Sequence, residues 1–123
     1  MPRDPRQSLG KLGEDLACRE LLRRGYAILD RRYRTRVGEL DIVARDGETV
    51  VFVEVKARGS GRWGAPAEAV GPLKRRRLAQ MAADYLARRR LDRSPCRFDV
   101  VAVEVGEPTP VVTVYPSAFT VDG

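Results

Sequence analysis

The apolar positions of the chain change their period several times, and each change marks an element. Leu9, Leu12, Leu16 and Ala17, continued by Leu21 and Leu22, recur at helical spacing until Gly25 supplies a stop. That pattern predicts a first helix over about 8–24. Tyr26, Ile28 and Tyr33 then read as a strand that runs into a basic turn at Thr35–Gly38. In ELDIVARDGETVVFVEVKAR the Asp46-Gly47 dipeptide separates two apolar runs, a strong hairpin signal, so strands are expected at about 39–45 and 48–57. GSGRWGAPAEAVG at 59–71 is rich in glycine and small residues and reads as a loop. Pro72 sits where a first-turn proline belongs, and Leu78, Met81, Ala82, Tyr85 and Leu86 form one apolar stripe of a long helix ending near Leu91. Ser94-Pro95 breaks it. RFDVVAVEV and PVVTVYP are two further β segments joined by a turn near Gly106–Pro110.

The predicted order is therefore α-β-β-β-α-β-β, which for 123 residues makes one α/β domain with a mixed central sheet flanked by helices. Residues 1–7 are polar and contain proline, so a flexible basic tail is expected there, with the domain over 8–123.

Composition narrows the function. Lys and Arg total 23 against 17 Asp and Glu, a net charge of +6, which suits a polyanionic partner. Histidine is absent, which removes histidine acid/base catalysis, histidine zinc sites and Ser-His-Asp triads. Any catalysis must rest on carboxylates, Lys, Arg, Tyr or a metal. Cys18 and Cys96 form no C-x-x-C pair and are expected to be reduced core residues. No apolar run approaches the roughly 20 residues of a membrane span, and the N-terminus lacks the apolar core of a signal peptide. The expected address is the cytoplasm, with no membrane partner.

The hairpin concentrates charge. If Asp46-Gly47 is the two-residue turn, Arg45 faces Glu48, Asp41 faces Phe52 and Glu39 faces Glu54. One face then carries Leu40, Ile42, Val51, Val53 and Val55. The other carries Glu39, Asp41, Phe52, Glu54 and Lys56, with Asp41 diagonal to Glu54 at roughly 7 Å between Cα atoms. Acids that close cost several kcal/mol unless something positive compensates. Lys56 and neighbouring arginines can do so in a surface lattice, or inward charges can protect an edge strand. A divalent cation can do so equally well, since hard oxygen ligands on a rigid sheet suit Mg²⁺ and Lys56 is near enough to hold a water. The inference depends on register, because a one-residue change in turn length moves Asp41 to the other face.

Glu14 follows Gly10 and Gly13 on the first helix, where the glycines permit another backbone to approach. Lys74, one turn before Leu78, extends the apolar stripe of the second helix, where a snorkelling side chain is the ordinary reading.

GELDIV at 38–43 and FVEVK at 52–56, preceded by GKLGE at 10–14 and followed by RFDVV at 97–101, resemble the YraN-like family of small bacterial proteins. That family is similar to archaeal Holliday junction resolvases within the PD-(D/E)xK nuclease superfamily, and the match runs from about residue 8 to 119. The resemblance implies a restriction-endonuclease-like domain. It implies that Asp41, Glu54 and Glu14 are acids of a site for Mg²⁺ or Mn²⁺, with the Val55 carbonyl as a backbone ligand. Lys56 matches the lysine that orients or activates the attacking water. Leu40 stands where the superfamily name has proline. Asp99, with Arg97 and Phe98, matches a family position and is read as structural.

The activity so implied is metal-dependent hydrolysis of nucleic-acid phosphodiesters, with branched or flapped DNA as substrate. Arg58, Arg62 and Trp63, with Lys74 and Arg75, are the expected nucleic-acid contacts. Related resolvases act as dimers, so the resemblance also raises a homodimer. The alternative is a nuclease fold that binds nucleic acid or a partner without turnover, because fold does not fix function.

Overall fold

A computed structural model describes residues 5–58, 70–106 and 108–120, with side chains from Leu9 onward. Its elements are α1 Pro5–Arg23, β1 Ala27–Thr35, β2 Gly38–Asp46, β3 Thr49–Arg58, α2 Pro72–Arg88, β4 Cys96–Glu104 and β5 Val111–Phe119. The predicted α-β-β-β-α-β-β order is therefore present. The strands form a single mixed sheet in the order β1-β2-β3-β4-β5. Hairpin-connected strands pair antiparallel, whereas β3 and β4 pair in parallel because the chain returns through α2 before β4 begins. Among the described residues no helix is long and apolar enough to cross a membrane.

Each sheet face buries its own cluster. On one, Leu78, Met81, Ala82 and Tyr85 of α2 pack on Leu40, Val43, Val50, Phe52, Phe98, Val100 and Phe119. On the other, Ala17, Cys18 and Leu21 of α1 cover Ile42, Ala44, Val51, Val53, Val101, Val103 and Val114. The α2 stripe is the one its periodicity predicts. The α1 stripe is rotated: Leu12 and Leu22 are exposed, and the helix turns Gly13, Glu14, Ala17, Cys18 and Leu21 inward. Gly13 explains the rotation, since a Cβ there would lie 2.5 Å from the Cβ of Ala57. The helix lies close against β3 through its smallest residues, and the leucine-rich side is left toward solvent. Gly10 has open space around its Cα, so only one of the two glycines serves close approach.

Five expectations need correction. First, Asp46 pairs with Thr49, Arg45 with Val50 and Ile42 with Val53, so Gly47 and Glu48 form the turn and the pairing is shifted by two residues. Gly47 adopts φ +61°, the conformation glycine takes without strain. An even shift preserves the side-chain faces. Second, Leu40 does not share a face with Ile42 but packs in the α2-side cluster. The β1–β2 ladder pairs Leu40 with Tyr33 and Ile42 with Arg31 but omits Asp41 and Arg32, and Arg32 has φ +53°. That break rotates β2 at Asp41. Third, β5 continues past Pro116 to Phe119 through a register irregularity at Ser117, whose amide donates to Asp99. Fourth, Cys96 is exposed, not a core residue, while Cys18 is buried; both are free thiols. The first helix also starts at Pro5, before the expected Ser8.

Candidate functional site

The β2–β3 ladder ends at Ile42 and Val53, and the next residues along the strands are Asp41 and Glu54. Beyond that point β2 follows β1 to Gly38, and β3 follows β4 to Arg58. The strands splay apart. Backbone groups in the gap need other partners, and the Val55 N–H donates to Asp41 Oδ2 at 2.9 Å. The side chain of Asp41 thus takes the place of a strand in the ladder.

The gap opens into a cleft of about 820 Å³. Lys11 and Glu14 from α1, Arg32 from β1, Glu39 and Asp41 from β2, and Lys56 from β3 are its charged lining. Glu54 is 8% exposed and hydrogen-bonded to Asp41, so two carboxyl groups share one buried position. Lys74 of α2 places Nζ 2.6 Å from Glu54 Oε2, a buried oxygen with no hydrogen bond of good geometry.

Burial and competition order the charges here. Desolvation first, then the hydrogen bond and negative charge of Glu54, push Asp41 up to about 8. Burial pushes Glu54 the same way, but the hydrogen bond with Asp41 and the Lys74 ammonium outweigh it and hold Glu54 below its usual range. Glu54 carries the charge and Asp41 the proton. Lys56 is lowered, chiefly by desolvation and then by the neighbouring Lys74 ammonium. Lys74 is raised, because Glu54 overcomes the opposing effect of burial. The two lysines are shifted in opposite directions by the same acid pair and by each other.

Glu14, 7% exposed, enters the cleft from α1 but is held by two guanidinium groups. Arg31 Nη2 lies 3.0 Å from Oε1, and Arg32 Nε is 3.3 Å from both carboxylate oxygens. Among the described residues no group of three acidic or thiol side chains stands ready to hold a metal. Asp41, Glu54, Lys56 and Lys74 come together, and Glu14 lines the same cleft in separate company.

The family model for the uncharacterised protein family UPF0102 matches residues 13–103, a stretch that includes Glu14, Asp41, Glu54, Lys56 and Lys74. The chain belongs to this family. A UPF0102 protein of Anaeromyxobacter dehalogenans is 52% identical over 120 residues, covering 98% of this chain and 90% of that protein. One from Syntrophotalea carbinolica is 52% identical over 118 residues, covering 96% of each. A third, from Symbiobacterium thermophilum, is 51% identical over 98 residues, covering 80% of this chain and 83% of that protein.

In this UPF0102 chain the other expected contacts fall in different places. Arg58 is exposed at the end of β3. Arg75 donates from Nε to the Val70 carbonyl at 2.8 Å and lies over the Phe119 ring at 5.2 Å, so it is committed to packing. Arg62 and Trp63 lie outside the described residues. Asp99 is fully buried and bonded to Arg97 and to the Ser117 amide, a structural position. Arg31 and Arg32 went unnoticed in the sequence. Alternation along a strand would send two adjacent arginines to opposite faces, and both reach Glu14 because Arg32, at φ +53°, breaks that alternation.

Proposed function

We propose that the chain is a divalent-metal-dependent nuclease that hydrolyses nucleic-acid phosphodiesters, with branched or flapped DNA as its substrate class. The observation that carries this reading is the Asp41–Glu54 carboxyl pair in the splayed β2–β3 gap, with Lys56 lining the same cleft. The resemblance of its motifs to the PD-(D/E)xK nucleases and archaeal Holliday junction resolvases supports it. A restriction-endonuclease-like domain fits the element order.

The donor set suits a hard cation in part. Two adjoining carboxyls that retain a proton up to about 8 are short of positive charge, and a divalent cation in place of that proton makes good the shortfall. Asp41 and Glu54, with the Val55 carbonyl, are the oxygens that would hold it. Mg²⁺ or Mn²⁺ so bound supplies a Lewis acid for the phosphate and acidifies a water.

The chain's own residues do the remainder. Lys56, its pKa lowered by burial and by the Lys74 ammonium, orients the attacking water. Lys74 remains an ammonium beside Glu54 and offsets negative charge as the phosphate approaches. Glu14 fixes Arg31 and Arg32, and Arg32 lines the cleft with a guanidinium available to a phosphate oxygen. Lys56→Ala or Asp41→Ala should abolish Mg²⁺-dependent cleavage of a panel of duplex, single-stranded, flapped and four-way-junction DNAs while leaving the fold intact. Equal activity in wild type and variants overturns the assignment.

A second reading, a module that binds nucleic acid without turnover, is favoured by one observation: Glu14 is engaged by two arginines and does not join the acid pair. Salt-dependent binding with no cleavage in either metal decides for it.

A further inference from the structure

The candidate cleft offers a polyanion little net charge: among the described residues its lining carries the cations Lys11, Arg32 and Lys56 alongside the acids Glu14, Glu39 and Asp41. A phosphate backbone brought toward buried carboxyls needs compensation from outside the cleft.

A neighbouring recess of about 290 Å³ supplies it. Arg34, Thr35, Arg36 and Val37 of the β1–β2 corner line one wall, and Gln80, Met81, Asp84 and Arg88 of α2 line the other. Three arginines face one acid, and Asp84 is engaged by the Tyr33 hydroxyl at 2.8 Å and by Arg88 at 3.1 Å. Arg36 makes no ion pair among the described residues, and Val37 is 44% exposed. The recess therefore offers cations around one exposed apolar side chain, Val37, while Met81 is buried in the core. The two cavities adjoin through one ion pair: Glu39 lines the candidate cleft, and its Oε2 lies 3.2 Å from Nε of Arg34 in the recess.

We infer that this arginine recess is the binding path for the nucleic-acid strand flanking the phosphate in the cleft, and that it takes an unpaired nucleotide. Guanidinium groups grip the backbone bidentately, and the exposed Val37 side chain receives a base face that a paired duplex would keep stacked. The path runs from the β2–β3 gap over Glu39 and Arg34 to the β1–β2 corner. The inference rests on the proposed function for the location of the cleaved phosphate, but binding is measured without cleavage.

The test is fluorescence anisotropy of a labelled single-stranded DNA oligonucleotide with metal-free protein over a range of NaCl concentrations. The proteins are wild type, Arg36→Glu, Arg34→Glu/Arg36→Glu, Arg36→Ala and a charge-matched control, Arg19→Glu, on the exposed face of α1. Arg36→Glu should weaken binding about tenfold, and the double variant more. The slope of log affinity against log salt should fall by about 0.7 for each lost contact, with Arg19→Glu near wild type. Arg36→Ala should fall between wild type and Arg36→Glu, and circular dichroism should show the same fold for all. Equal losses in Arg36→Glu and Arg19→Glu, or no binding by wild type, overturn the recess. Binding that depends on Arg36 without cleavage in Mg²⁺ or Mn²⁺ keeps the recess and sinks the nuclease; cleavage that ignores Arg36 does the reverse.

Discussion

Two acidic positions of the same sheet show opposite chemistry. Asp99 on β4 is completely buried, and its donors are complete. Arg97 Nε reaches Oδ1 at 3.0 Å, Arg97 Nη2 reaches Oδ2 at 3.3 Å, and the Ser117 amide reaches Oδ1 at 2.9 Å. Arg97 in turn bonds Asp46 and the Tyr26 hydroxyl, so the network ties β4 to β5, to the β2–β3 turn and to the chain after α1. Among the described residues Asp41 and Glu54 have one backbone amide and the Lys74 ammonium in contact, with Lys56 adding its charge, and they share a proton. A buried acid with a full set of donors holds the fold together; an acid pair short of donors has capacity left for a ligand.

The contrast is open to direct test. Asp99→Ala should have the largest effect on stability, a loss of about 3–5 kcal/mol in urea unfolding, because it strands Arg97 and frees the Ser117 amide. Asp41→Asn should leave stability unchanged or raise it, while removing the proposed Mg²⁺-dependent cleavage. Equal destabilisation by the two would erase the distinction.

The pH dependence sharpens it. In the unfolded chain Asp41 loses its proton near 3.8, and in the folded chain near 8. Between those values the native state binds more protons than the unfolded state, so this group's contribution to stability declines as pH rises. Glu54, shifted the other way, acts below its ordinary 4.5 and not in this window. Wild-type stability should therefore fall relative to Asp41→Asn between about pH 4 and pH 8, by a few kcal/mol. Parallel profiles would mean that the pair holds no proton.

The smallest effect concerns the wall of the cleft. Gly13→Ala places a Cβ 2.5 Å from Ala57, so α1 must move off β3 at a cost of about 1–3 kcal/mol. Thermal unfolding reads the cost.

Much of this was legible beforehand. The glycine in the turn, the valine runs and the stripe on α2 are local signals, and each produced its element. The acid pair was legible for a less secure reason. Placing the turn one residue early misaligned the strands by two positions, and two residues return a side chain to the same face, so Asp41 still met Glu54. The α1 stripe misled because leucine spacing records hydrophobicity and not closeness of approach, which Gly13 decides. Leu40 misled because alternation assumes an unbroken ladder, and the ladder breaks opposite Arg32.

The sequence alone determined the order of elements and the residues able to do chemistry, because period and residue type are local properties. It also determined, through its lack of histidine, that any catalysis must rest on carboxylates, Lys, Arg, Tyr or a metal. Only the tertiary structure decided how those groups share charge. The splaying of β2 from β3, the contact of Lys74 on α2 with Glu54, and the capture of Glu14 by Arg31 and Arg32 join residues distant in the chain. Their energies depend on burial and separation, which no spacing along the sequence encodes.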